Sequence, residues 1–145
     1  MKQLQLLLPL LACLLIVNFP SYLYANEKLA PSTVPGTTKV DVDGVLDLVE
    51  KTPDLLIIDS RIHMDRNQGF IEGSISLPDI ETNCQSLAKL IPKTDSSVLF
   101  YCNGVKCGRS VKASIQALAC GYSNIYWFRG GFEEWIANEL PVIKP

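Results

Sequence analysis

The chain has 145 residues, the size of one domain, and 48% of them are hydrophobic, which suffices for an ordinary core. Its net charge of -2, with no basic cluster, gives no reason to expect nucleic acid as a partner.

The first predicted element is MKQLQLLLPLLACLLIVNFPSYLYA: Lys2, then an apolar run from Leu6 to Val17 broken only by Pro9, with no acidic residue before Glu27. The run is shorter than the roughly 20 residues that span a bilayer, and Leu23-Tyr24-Ala25 ends in a small residue suited to signal peptidase. A signal peptide over residues 1–25 is expected, with export to a bacterial periplasm and no membrane contact once it is removed. Two alternatives keep the chain on the membrane: an uncleaved anchor, or a lipid on Cys13 in Leu10-Leu11-Ala12-Cys13, although the apolar run continues beyond that cysteine. Loss of Lys2 leaves 12 basic against 15 acidic residues, a net of -3. Export would carry Cys84, Cys102, Cys107 and Cys120 into an oxidising compartment, where four thiols allow three full pairings.

Residues 26–37 are rich in Pro, Ser, Thr and Gly and read as a flexible leader to a single domain over 38–145. A short helix follows from Val42, ended at Thr52-Pro53-Asp54. Leu55 to Ile58 is a continuous apolar run, the pattern of a strand covered on both faces, and Ser74 to Leu77 is a weaker strand stopped by Pro78. Glu81 to Ile91 reads as a helix and Ser97 to Tyr101 as a strand. Val111, Ile115, Leu118, Ala119 and Tyr122 mark one face of a helix closed by Gly121; Asn124 to Trp127 is a strand, and a short helix lies around Glu133 to Ala137. Strands alternating with helices predict an α/β fold with a mainly parallel central sheet flanked by helices, in which ligands sit at the carboxyl ends of strands.

Cys102 falls at such an end, in YCNGVKCGRS (residues 101–110). A reactive cysteine needs surroundings that favour the thiolate. A strand running into Cys102 and a helix starting near Gly108 would aim backbone N–H groups and a positive helix end at the sulfur. Gly104 and Gly108 let the backbone approach an anion closely, and Lys106 and Arg109 add positive charge. Zinc fits poorly, because the interval is C-x4-C with no second such pair, and the spacing also misses the C-x-x-C of thioredoxin-type centres. The plain alternative is a small buried cysteine ending a strand.

Four segments, in order, resemble the single-domain rhodanese-like family over roughly residues 38–143. They are Ile58-Asp59-Ser60-Arg61, similar to I-D-V-R; Gly69 to Pro78, similar to G-H-I-P-G-A-x-x-x-P with Phe70 in place of the histidine; the Tyr101-Cys102 loop; and Gly130-Gly131-Phe132-Glu133-Glu134-Trp135, similar to G-G-x-x-x-W. The resemblance implies a sulfurtransferase in which Cys102 takes a sulfane sulfur from a small anionic donor (thiosulfate, polysulfide or persulfide), becomes a persulfide, and passes the outer sulfur to a thiol or cyanide-like acceptor, or to a protein in a sulfur relay. The family's six-residue loop would here be Cys102, Asn103, Gly104, Val105, Lys106 and Cys107, its amides facing the sulfur, with Lys106 or Arg109 assisting donor binding. No metal or organic cofactor is implied.

Related phosphatases carry a loop one residue longer with arginine six positions after the cysteine; here that position is Gly108 and the arginine is Arg109. Cys107 stands where the family often has arginine, serine or threonine. From its spacing it is a resolving thiol for a Cys102 persulfide, or a partner in a protective disulfide. A thiol-disulfide or polysulfide redox protein using Cys102 and Cys107 together is the second reading, and a non-catalytic binding module the third.

The remaining candidates have structural readings. Cys84 and Cys120 are core residues or a stabilising bridge. Asp59 and Arg61 are an ion pair holding loops. Trp127, Phe128 and Trp135 fill core or line the entrance, and His63 is a surface loop residue.

Overall fold

The computed structural model describes residues 28–145. The expected signal peptide over 1–25 and the Cys13 alternative lie outside the described residues. Five parallel strands form one sheet in the order β1-β5-β4-β2-β3: β1 Thr37–Val40, β2 Leu56–Asp59, β3 Ile75–Ser76, β4 Val98–Tyr101 and β5 Ile125–Phe128. Helices α1 Val42–Lys51, α2 Cys84–Leu90, α3 Arg109–Ala119 and α4 Gly131–Ala137 flank it, with a 3-10 helix at His63–Gln68.

The period-2 alternation of strands sorts the core into two layers. Val98 and Phe100 of β4 join Ile58, Leu87, Ala113, Ala117 and Ile125 on the face covered by α2 and α3. Leu99 and Tyr101 join Val45, Ile57, Phe128, Phe132 and Trp135 on the face covered by α1 and α4. All four residues of β4 are buried, which is why that strand reads as an unbroken apolar run.

Several boundaries differ from the sequence expectation. β1 lies where leader was expected to give way to helix; its Thr-Thr-Lys-Val is an edge strand paired only to β5, with too little apolar signal to stand out. α2 starts at Cys84 rather than Glu81, because the Asn83 side chain accepts from the Gln85 and Ser86 amides in a capping box. On α3, the buried residues are Ser110, Ala113, Ser114 and Ala117, whereas Ile115, expected on the inner face, is 53% exposed. Small residues let α3 settle close against the sheet, and its larger apolar residues are displaced to the flank.

The segment expected as a flexible leader over 26–37 is instead laid on the domain from Ala30 onward. Ala30 and Val34 are buried against Trp127, the Ala30 amide donates to the Val105 carbonyl (2.7 Å), and Arg129 donates to the Pro31 and Ala30 carbonyls at 2.8 and 2.9 Å. Apolar cover for a tryptophan and three hydrogen bonds offset the turn-rich composition that suggested mobility.

Candidate active site

The floor of the site is a buried polar network at the carboxyl ends of β2 and β4, where Asp59 and Tyr101 are paired in register. Asp59 accepts from the Arg61 amide (3.1 Å), Arg61 Nε and Nη2 (2.9 and 2.7 Å), Arg66 Nη1 (2.9 Å) and the Tyr101 hydroxyl (2.8 Å). Burial pulls the Asp59 carboxyl toward its neutral form, but Arg61 and Tyr101 outweigh it and hold the pKa below the usual range. Arg61 also donates to the Gly69 carbonyl at 2.9 Å and stacks 4.2 Å from the centre of the Phe132 ring. The Asp59–Arg61 pair therefore binds strand ends, the 3-10 region and α4 together, while Phe70 packs under the Arg66 guanidinium at 3.7 Å.

Above this floor, β4 runs into the loop from Cys102 to Gly108 and then into α3. The loop is fastened from below: the Phe132 and Glu133 amides of α4 donate to the Cys102 and Asn103 carbonyls at 2.8 and 2.7 Å. Gly131 makes this possible, since its φ is +58° and a Cβ there would run into the Cys102 carbonyl. The Gly-Gly pair thus serves the loop it touches, 29 residues earlier in the chain. Inside the loop, the Cys107 amide closes a turn onto the Gly104 carbonyl at 2.9 Å.

The N-cap of α3 is Gly108, which has no side chain to satisfy the first amides of the helix. These amides act on the sulfurs: the Arg109 amide lowers the pKa of Cys107 and the Ser110 amide opposes the rise of Cys102. The Asn103 amide also points at the Cys107 sulfur. Cys102 is 1% exposed, and its thiol donates to the Cys107 carbonyl at 3.2 Å. Ser110 Oγ donates to Cys102 Sγ at 3.3 Å and accepts from Trp127 Nε1 at 3.0 Å. With that indole N–H filling its acceptor side, the serine hydroxyl hydrogen is left for the sulfur.

The two sulfurs act as a pair. Hydrogen bonding from Cys102 lowers the Cys107 pKa to about 6 against the opposing pull of burial, helped by the Arg109 and Asn103 amides and the Arg109 charge. Cys102 is raised by the same bond and by burial, with only Ser110 opposing. The sequence reading expected Cys102 itself to be the ionised sulfur, at the mouth of a ring of amides. Here it is Cys107 whose pKa is lowered, because hydrogen bonding from Cys102, the Arg109 and Asn103 amides and the Arg109 charge favour its thiolate, while Cys102 is pushed up.

A cleft of about 420 Å³ opens over the pair, lined by Asn103, Lys106, Cys107, Gly108, Arg109, Lys112 and Glu133. Of the expected site residues, Asn103, Lys106, Cys107 and Arg109 meet there. Gly104 is buried with its Cα against the Glu133 side chain, and Val105 is turned away, its carbonyl taken by Ala30. Sequence reasoning missed Lys112, Ser110 and two acidic anchors. Asp65 accepts from Asn103 Nδ2 at 3.0 Å and lies 3.5 Å from Arg109 Nη1; Asp79 lies 3.8 Å from Arg109 Nε and 3.5 Å from Lys112 Nζ. Lys112 and Ser110 were within reach of helical spacing from Gly108, whereas Asp65 and Asp79 come from distant loops. His63 is exposed and bonded to Ser76 and Glu81 rather than to either thiol. Among the described residues no group of three or more His, Cys, Asp and Glu side chains converges as a metal would require.

The other two cysteines are joined: Cys84, the first residue of α2, is bridged to Cys120, the C-cap of α3, with their Cα atoms 5.4 Å apart.

The profile of the Rhodanese-like domain matches residues 41–138. A protein named sulfurtransferase from Allochromatium vinosum is 28% identical over 107 residues, covering 74% of this chain and 95% of its own. The solution structure of the rhodanese-like domain from an Anabaena protein superposes with a TM-score of 0.64 at 18% identity, covering 74% of this chain and 79% of that one. The crystal structure of thiosulfate sulfurtransferase from Pseudomonas aeruginosa superposes at 0.60 and 22% identity, covering 74% of this chain but 20% of that one. With its parallel sheet, a cysteine loop between β4 and α3, and the profile match over most of its described length, the chain belongs to the rhodanese-like family.

Proposed function

We propose that the protein is a sulfurtransferase that carries a sulfane sulfur as a persulfide on Cys102. The observation that carries this reading is the Cys102 thiol, hydrogen-bonded to the Cys107 carbonyl and to Ser110 Oγ, under a cleft bearing Lys106, Arg109 and Lys112. Those cations suit a small anionic donor such as thiosulfate, a polysulfide or a persulfide.

Chemistry starts with one proton. Cys102 passes it along the existing hydrogen bond to the Cys107 thiolate and is left as a thiolate itself, facing the Ser110 amide and hydroxyl. The Cys107 side chain, which lines the cleft above Cys102, swings aside to admit the donor. The Cys102 sulfur attacks the donor's outer sulfur and the remainder leaves, as sulfite from thiosulfate. A thiol or cyanide-like acceptor, free or on a relay protein, then attacks the outer sulfur and returns Cys102 to its thiolate.

We further propose export to a periplasm. The Cys84–Cys120 bridge supports it, since such bonds persist in oxidising compartments, as does the apolar N-terminal sequence. Among the described residues no helix is long and apolar enough to cross a membrane.

Cys102→Ala tests the mechanism. Transfer from thiosulfate or glutathione persulfide to cyanide should vanish while the thermal transition stays within a few degrees of wild type. Retained transfer in that variant rejects Cys102 as the carrier.

A further inference from the structure

Cys107 is more than a loop residue with an unusual side chain. It lines the cleft, and its carbonyl accepts from the buried Cys102 thiol at 3.2 Å. A transferase that hands sulfur only to outside acceptors has no need of a second thiol there, and a neighbouring thiol limits the lifetime of a persulfide.

We infer that Cys107 is the resolving thiol and internal electron donor in a second activity of this site: reduction of sulfane sulfur to sulfide, with closure of a Cys102–Cys107 disulfide. This rests on the persulfide reading above. After loading, Cys107 holds the proton it took from Cys102 and the persulfide is an anion, Cys102–S–S⁻. The Cys107 sulfur attacks the inner sulfur, the S–S bond to the outer sulfur breaks, and the Cys107 proton leaves with that outer sulfur as HS⁻. One sulfur–sulfur bond forms and one breaks. The sulfane sulfur gains two electrons and the two cysteines lose them. A dithiol reductant, whether a small molecule or a protein with two adjacent thiols, resets the pair by exchange and leaves as its own disulfide.

Three features favour this outcome over simple storage. The Cys102 thiol already donates to the Cys107 carbonyl at 3.2 Å, so the resolving residue does not have to be brought in from solvent. Cys102 is 1% exposed, which keeps most outside acceptors from its inner sulfur while Cys107 remains next to it. The cleft can take up a small donor and release a small sulfide without the loop leaving its α4 anchors at Cys102 and Asn103. The Cys84–Cys120 bond ties α2 to α3 and consumes the remaining described cysteines, so the closing bond has one partner available within the described domain.

The test uses the whole protein and its Cys107→Ser variant, each given thiosulfate or glutathione persulfide with no external thiol. Cys107→Ser lacks the thiolate that takes the Cys102 proton and loads more slowly, so sulfide is counted per persulfide formed, by intact mass, and not per unit time. Wild type should release one sulfide per chain, and peptide mapping should find Cys102 bonded to Cys107. Cys107→Ser should keep an extra sulfur on Cys102 and release sulfide only when dithiothreitol is added. The inference is overturned if wild type keeps the extra sulfur with Cys107 still open to alkylation, or if the two proteins release sulfide alike. Should Cys107→Ser fail to fold, the wild-type mapping decides alone. Failure of both proteins to take up sulfur from either donor rejects the persulfide reading itself, and this inference with it.

Discussion

Two cysteine pairs in one chain have opposite fates. Cys84 and Cys120 sit at helix ends with their Cα atoms 5.4 Å apart, and they are bonded. Cys102 and Cys107 are hydrogen-bonded to each other, and they are free. Gln116 Nε2 reaches the sulfurs of the first pair at 3.9 and 3.4 Å. The second is surrounded by amides that favour a thiolate and stands on a floor held rigid by Asp59 and Arg61. Reactivity in this protein comes from unpaired backbone N–H groups at a helix start rather than from the thiols themselves.

The largest expected effect comes from undermining that floor. Asp59→Ala leaves the Arg61 charge buried without its partner and should cost about 3–5 kcal/mol of stability, read by urea unfolding. The second cut is at the closed pair. Replacing Cys84 and Cys120 together by alanine opens a loop of sequence separation 36 and should cost about 3–4 kcal/mol, while sulfur transfer by the folded protein persists. Activity lost in step with the bridge, under conditions where the variant is folded, would mean that the two pairs are coupled.

A sharper contrast comes from pH. Cys107 is lowered to about 6, so the rate of iodoacetamide labelling at Cys107 should rise as pH climbs through about 6, well below the ordinary thiol range near 8.5. In Cys102→Ala the main cause of that lowering is gone, and the midpoint should move upward. An unmoved midpoint would assign the thiolate to the amides alone. The smallest effect belongs to Ser110→Ala, which removes one donor from the Cys102 sulfur and leaves the Trp127 indole N–H unpaired. Transfer should slow by roughly five- to tenfold, in keeping with about 1 kcal/mol for one hydrogen bond. Ser110→Thr, which keeps the hydroxyl, should recover most of that loss, whereas a purely packing role would make Thr the worse substitute.

The parts of this site that were legible before any coordinates were those written in consecutive residues. The apolar run of β4 and the start of α3 carry their meaning locally, whereas Gly104 and Gly108, expected to bring the backbone close to an anion, take no positive φ, and Gly131 serves a loop 29 residues earlier. The position of the negative charge was not legible, because it depends on which sulfur the Arg109 and Asn103 amides reach after the loop has folded. Asp65 and Asp79 were hidden for a related reason: they meet Arg109 from loops far away in the chain. The inner face of α3 misled because periodicity weighs Val111 and Ile115 above Ser110 and Ala113, while close packing on the sheet selects for smallness. β1 escaped for lack of hydrophobic residues, as edge strands often do.

The stitch between Ala30 and Val105 fixes where the preceding polypeptide leaves the domain: beside the cysteine loop, not at the opposite end of the sheet. A fluorophore placed on that segment, at Leu29, which is 55% exposed, would sit near the cysteine loop and report any change there when sulfur is loaded.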